Sequence, residues 1–117
     1  TGSKMKYADL HYANLYSANL TSVSAYFIKL NYATLSSTKF VKAYLRAADI
    51  VGCKVAYADF TQADMSQIDM SWTKGSRSGI KFQNADLKGS VITKVFRTLM
   101  QSHNVKNYHT IDWVDFN

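Results

Sequence analysis

Cysteine occurs once in the 117 residues, at Cys53. No disulfide framework can form within the chain, and a cysteine-based metal site lacks its ligands. No apolar run approaches the ~20 residues that a membrane-spanning helix needs. No basic segment followed by an apolar stretch opens the sequence, so no signal peptide is read. Gly-rich phosphate-cradling loops and His/Cys/Glu metal spacings are missing too, and no cofactor or metal is expected. Charged residues make up only 19% against 47% hydrophobic, a globular balance and not that of a disordered chain. The length allows one domain with a real core and is too short for two.

What charge there is amounts to a net +6, and it is zoned. Residues 1–48 carry six basic and one acidic residue. Residues 49–72 carry one Lys and four Asp. Residues 73–97 return to six basic and one acidic. A positive balance points toward anionic partners, and the acidic belt interrupts it.

Internal repeats are sought first, because they decide the fold. Large apolar residues recur every five positions, at Leu10, Leu15, Leu20, Leu30, Leu35, Phe40, Leu45, Ile50, Val55, Phe60, Met65, Met70 and Ile80. Two positions before them stand small residues, among them Ala8, Ala13, Ala18, Ala33, Ala43, Ala48, Cys53, Ala58 and Ala63. Between the two lies a polar residue, as at Asp9, Asn14, Asn19, Asp59 and Asp64. On a helix a period of five advances about 140° per step, so the leucines would spiral around the cylinder. On a straight strand an odd period sends alternate leucines to opposite faces. One common core requires the chain to turn once per repeat. The small and the large residue then point inward from a short extended segment, the polar residue between them points outward, and the other two make the corner.

The runs KYADL-HYANL-YSANL and AYADF-TQADM resemble the pentapeptide-repeat family. The resemblance covers roughly residues 6–92. It implies an all-β solenoid, a right-handed quadrilateral β-helix in which four repeats make a coil of 20 residues. Phe40 and Phe60 should then stack on one another. Val23 and Ala25 exchange their usual sizes within one repeat, keeping the interior volume constant. Ile28, Thr38 and Ile68 are too large for the small position and should distort the coil locally. The register breaks around Lys74-Gly75-Ser76-Arg77-Ser78-Gly79, with Gly75 at a core position, and Ala85-Asp86-Leu87 resumes two residues out of phase.

After Ile92 the period is lost. Val95, Phe96, Leu99 and Met100 have helical spacing and predict a short amphipathic helix that caps the open end, with the aromatic tail Tyr108–Phe116 folding back on it. The expected organisation is residues 1–3 as a cloning remnant, 4–92 as the β-helix, and 93–117 as helical cap and tail. The N-terminal end shows no cap, so the natural protein is expected to continue upstream.

No catalytic constellation stands out. His11, His103 and His109 are scattered, and His109 with Asp112 reads better as a capping pair than as a dyad. The aspartates lie between core positions on different faces and read as solvated repeat residues. Cys53 reads as a buried thiol. Asn19-Leu20-Thr21 spells a glycosylation triplet only incidentally. The surface is more informative. Tyr7, Tyr12, Phe27, Tyr32, Tyr57 and Trp72 share one outward repeat position, with Tyr16 and Tyr26 nearby. They read either as corner stacks that stiffen the solenoid or as rigid contact area for a partner. Lys29, Lys39, Lys42, Arg46, Lys54 and Lys74 point outward as well. The candidate interaction surface is Tyr7, Tyr12, Phe27, Tyr32, Trp72, Lys29, Lys39 and Lys54.

The expected function is that of a non-catalytic protein-interaction or scaffold domain with a protein partner. An anionic membrane surface is the second partner class, nucleic acid is disfavoured, and the oligomeric state stays open. The resemblance further implies a C-terminal part of a bacterial secreted effector of the PipB kind, cytoplasmic or delivered into a host cell and membrane-associated there. Two other roles are carried. One is substrate placement for a ubiquitin-ligase type effector enzyme. The other is DNA mimicry of the gyrase-protecting kind, which the net positive charge disfavours.

Overall fold

A single repeat shows how the chain turns. The amide of Ala13 donates to the carbonyl of Leu10 at 3.0 Å, closing a turn over His11 and Tyr12. Tyr12, the third residue of the turn, takes φ 62°. A positive φ at that place marks a type II turn. The same geometry recurs at every fifth residue, with φ between 57° and 62° from Tyr7 through Phe27 and Tyr57 to Trp72 where the residue is not glycine. The structure, a computed structural model, describes residues 4–73 and 77–115. The expected remnant at residues 1–3, the outward position of Lys74, the core position of Gly75, and Phe116 lie outside the described residues.

Between turns the outward residue forms a parallel bridge to the next coil. Asp9 pairs with Lys29, Asn14 with Thr34, Asn19 with Lys39, and Ser24 with Tyr44, each 20 residues on. The coil of four repeats is therefore real, and it has four faces. We number them by their first bridging residue: face one at Lys4, face two at Asp9, face three at Asn14 and face four at Asn19. The backbone hydrogen bonds between coils carry the structure. Leu10 donates to the carbonyl of Lys29 at 2.7 Å, and Lys29 donates back to that of Ala8 at 2.9 Å. Such pairing leaves few buried backbone groups unmet.

The interior holds the predicted residues. Leu30, Leu35, Phe40, Leu45, Ile50, Val55, Phe60, Met65 and Met70 are buried, as are Val23 and Ala25. Phe40 and Phe60 stack at 5.2 Å between ring centroids with planes 1° apart. Phe82 extends the stack at 5.5 Å, and Phe96 closes it edge-on at 5.9 Å. Met5, Leu10, Leu15 and Leu20 are only partly buried, because no coil lies on their other side among the described residues.

Two expectations need correction. The large residues Ile28, Thr38 and Ile68 do not disturb the pairing: Lys29, Lys39 and Asp69 keep their bridges and their bonds at 2.9 to 3.1 Å. The bridge register explains this. Ile28 stands between the Ala8 and Ala48 positions, and Thr38 between those of Ala18 and Ala58, so each bulky residue has small neighbours along the axis. Thr38 also donates its hydroxyl to the carbonyl of Leu15 at 2.8 Å, and Cys53 its thiol to that of Leu30 at 2.9 Å. Ile80 is not one of the large core positions. Lys81 bridges Asp59 and Phe82 stacks on Phe60, which puts Ile80 at the small position before them. The two extra residues thus fall between Thr73 and Ser78, and the phase is restored before Ala85.

The C-terminal end is closed by a helix set into the last coil. Strands β1 (Asp69–Met70), β2 (Val91–Thr93) and β3 (Asp112–Val114) form a parallel sheet in that order. Between β2 and β3 run a turn of 3-10 helix at Lys94–Phe96 and helix α1 (Arg97–Ser102). Phe96 and Met100 are buried, while Val95 faces outward. Solenoid pairing runs past Ile92, since Lys106 still bridges Asp86 and β3 still pairs with β2. The cap is a coil with two of its sides replaced by helix.

Candidate interaction surface

The shared corner position brings aromatic residues into columns. Tyr7 stacks on Phe27 at 5.2 Å with planes 5° apart. Tyr12 stacks on Tyr32 at 5.3 Å and 15°. Both pairs are exposed, Tyr7 and Tyr12 at 70% each. The two columns stand at the two edges of face two, and Lys29 lies on that face between them, bridged to Asp9. Trp72 stands in the Tyr12 and Tyr32 column but two coils further along. Gly52 separates it from Tyr32, whose ring lies where a glycine Cβ would be, 2.6 Å from Cδ1. Tyr57 covers Gly79 in the same way at the next corner.

The predicted lysines are dispersed. Lys54 bridges Thr34 on face three, and Lys39 bridges Asn19 on face four, opposite Lys29. No single partner surface holds all eight residues. Five of them remain together: Tyr7, Phe27, Tyr12, Tyr32 and Lys29.

Two features escaped the sequence reading. The first is a surface pair, His11 Nδ1 to Asp9 Oδ1 at 2.6 Å, with the His11 ring edge-on to Tyr12. The hydrogen bond from His11 holds the Asp9 carboxyl below the usual carboxylate range. The spacing of two residues across a corner was its only signal. The second is a tyrosine cluster on face one. Tyr26 and Tyr44 lie 5.9 Å apart, and Lys6 places its ammonium 5.3 Å from the Tyr26 ring centre. Tyr44 occupies the bridging position, where the neighbouring repeats show polar residues, and that departure could have flagged it. Above it an open groove of about 240 Å³ is lined by Arg46, Asp64, Ser66, Gln67, Asp86 and Lys88.

The aspartates are occupied in turns. Asp49, Asp59, Asp64 and Asp69 each accept, through Oδ1, the amide two residues on at 3.0 to 3.1 Å. His109 packs edge-on to Tyr108, and among the described residues it makes no bond to Asp112. Cys53 is buried, and burial pushes its thiol up to about 12. Among the described residues no group of three or more His, Cys, Asp or Glu could hold a metal ion, and no helix is long and apolar enough to cross a membrane.

This geometry has counterparts among known proteins. A family model described as pentapeptide repeats matches residues 28–67 in eight copies. Among solved structures, the chain is similar to a pentapeptide repeat protein from the Arabidopsis thaliana thylakoid lumen. The TM-score is 0.62 at 18% identity, over 87% of this chain and 77% of that one. It is also similar to Rfr23, a pentapeptide repeat protein from the cyanobacterium Cyanothece 51142. There the TM-score is 0.50 at 21% identity, over 97% of this chain and 64% of that one. These likenesses establish the fold, a right-handed β-helix solenoid. No curated protein sequence matches the chain.

Proposed function

We propose that this domain is a non-catalytic protein-binding module that engages its partner through face two and its aromatic corners. The observation that carries the reading is the pair of exposed stacks, Tyr7 on Phe27 and Tyr12 on Tyr32, held at the edges of one flat face. Stacked rings on a hydrogen-bonded ladder are already ordered, so a partner gains large contact area at little further entropic cost. Pentapeptide repeat proteins are in general interaction or scaffold proteins without catalysis, which supports the same reading. The narrower form of the proposal is a secreted bacterial effector working inside a host cell, at a protein or membrane surface. Its support is the resemblance of the repeats together with the basic charge.

The experiment compares the chain with a Tyr12→Ser, Phe27→Ser, Tyr32→Ser variant in pull-downs from host-cell lysate. Serine suits these corners, since Ser17, Ser22 and Ser37 hold the same position with φ of 59° to 60°. Circular dichroism should show the β-rich fold unchanged. The expected result is loss of the captured protein. Equal capture by the folded variant returns the aromatics to a purely structural role.

A further inference from the structure

Face one carries a cationic patch over its first three coils, and its own carboxylates begin only at Asp64 and Asp86, which share a groove with Arg46. Its bridging column runs Lys4, Ser24, Tyr44 and only then Asp64. The column beside it runs Lys6, Tyr26 and Arg46, as the bonds from Tyr7 to the Tyr26 carbonyl and from Phe27 to the Arg46 carbonyl show. Lys42 stands at the other edge, at the corner before Tyr44. Over these three coils no carboxylate occupies the face. Among the described residues, Lys4, Lys42 and Arg46 have no ion-pair partner, whereas Lys94 meets Asp115 at 3.0 Å. Like charges crowded on one side repel each other until an anion arrives.

The tyrosines limit what that anion can be. Single-stranded nucleic acid is held by bases that stack on free ring faces. Here each ring already has a neighbour on it: Lys6 sits over Tyr26, Tyr26 leans on Tyr44, and Tyr7 lies on Phe27 at the corner, which leaves fewer faces for bases. A membrane anchor inserts exposed apolar side chains. This face offers serines, cations and phenols, and Phe27 alone at its edge. What remains available are ring edges, which carry the positive end of the aromatic quadrupole, phenolic O–H donors, and ammonium and guanidinium groups. All of these bind carboxylates. The cations span two coil spacings, about 10 Å at ~4.8 Å per coil. An extended peptide sets alternate side chains about 7 Å apart, so two or three acidic residues of one strand cover the patch.

We propose that face one, through Lys4, Lys42, Arg46 and the edges of Tyr26 and Tyr44, binds an acidic extended segment of the partner protein. This rests on the protein-binding reading above and adds the chemistry of the partner.

The test is fluorescence anisotropy with a labelled oligo-glutamate peptide, against the whole chain and against Arg46→Glu and Lys81→Glu. The two variants have the same net charge, and Lys81 lies on face four, paired with Asp59. The expected result is binding that weakens with salt. Arg46→Glu should weaken it about fivefold or more and Lys81→Glu by less than about twofold, a difference of at least roughly 0.5 kcal/mol. A folded Tyr44→Ser variant should also bind more weakly. Equal losses in the two charge variants would mean that net charge alone attracts the peptide, and would overturn the site. Tighter, Arg46-dependent binding of oligothymidylate, or of vesicles of phosphatidylcholine and phosphatidylserine, would overturn the choice of occupant. If the peptide fails to bind while the pull-down still depends on Tyr12, Phe27 and Tyr32, this proposal falls and the protein-binding reading stands.

Discussion

At the residue scale, the turn is written twice in the sequence. Where an Asp or Asn stands before the core residue, its Oδ1 folds back onto the amide two residues later, as at Asp9, Asn14, Asp69 and Asp86. Such bonds pre-form the corner. The corner residue itself sits in the left-handed region, where side chains are uncommon. Ala47 holds φ 58° there, so a Cβ is accepted by the backbone. Gly52 is therefore glycine for another reason, the Tyr32 ring that lies against it. Gly52→Ala should push that ring aside, break the Tyr12 stack and cost about 1 kcal/mol. A double-mutant cycle with Tyr32→Ser, followed by urea unfolding and near-UV circular dichroism, checks this. The alanine should cost much less once the ring is gone. An unchanged cost in the Tyr32→Ser background would place the strain in the backbone instead.

At the scale of elements, the C-terminal helix matters for how it docks on the phenylalanine stack. The amide of Phe82 donates to Nδ1 of His103 at 3.1 Å, just past the end of α1. That bond needs an unprotonated nitrogen, and burial also holds the imidazole below its usual 6.5. The unfolded chain therefore binds a proton more readily than the folded one, so stability falls as pH drops below about 6.5 and is restored above it. The wild type should lose thermal stability over that range, and a His103→Gln variant should show less of this loss. Identical pH profiles for the two proteins would remove His103 from the account. The repeat, its core and the Phe40–Phe60 stack were legible in the sequence because a period of five with one buried side admits few geometries. The position of the two-residue insertion was not, since Ile80 satisfies the period without belonging to it. The docking of His103 was not legible either, because nothing local marks a contact between a helix end and a coil 21 residues earlier. Within the candidate surface, the corner columns followed from the period, whereas the dispersal of Lys39 and Lys54 required the four-sided coil to be counted out.

At the scale of the whole molecule, the charge zones acquire a shape. The acidic stretch spans about one coil, so Asp49, Asp59, Asp64 and Asp69 bridge on faces two, four, one and two. They form a belt and not a negative stripe along the axis, which is what duplex mimicry would need. Stability has a direction too. Coils touch only their neighbours, so each is as stable as its two interfaces allow. The first coil has one such interface among the described residues, and its Met5, Leu10, Leu15 and Leu20 are only half covered. The middle coils have two, with Leu30, Leu35 and Phe40 fully enclosed. The last is covered by Phe96 and Met100. Native-state hydrogen exchange should therefore be graded. The amides of Leu10 and Leu15 should exchange faster than those of Leu30, Leu35 and Phe40, although all donate between coils at 2.7 to 2.9 Å. Local opening at an end, and not bond length, sets the rate. Phe96→Ser should speed exchange at Leu87 while leaving the middle coils slow. One common rate across all these amides would show that the solenoid opens only as a single unit, and the nearest-neighbour picture would have to be given up.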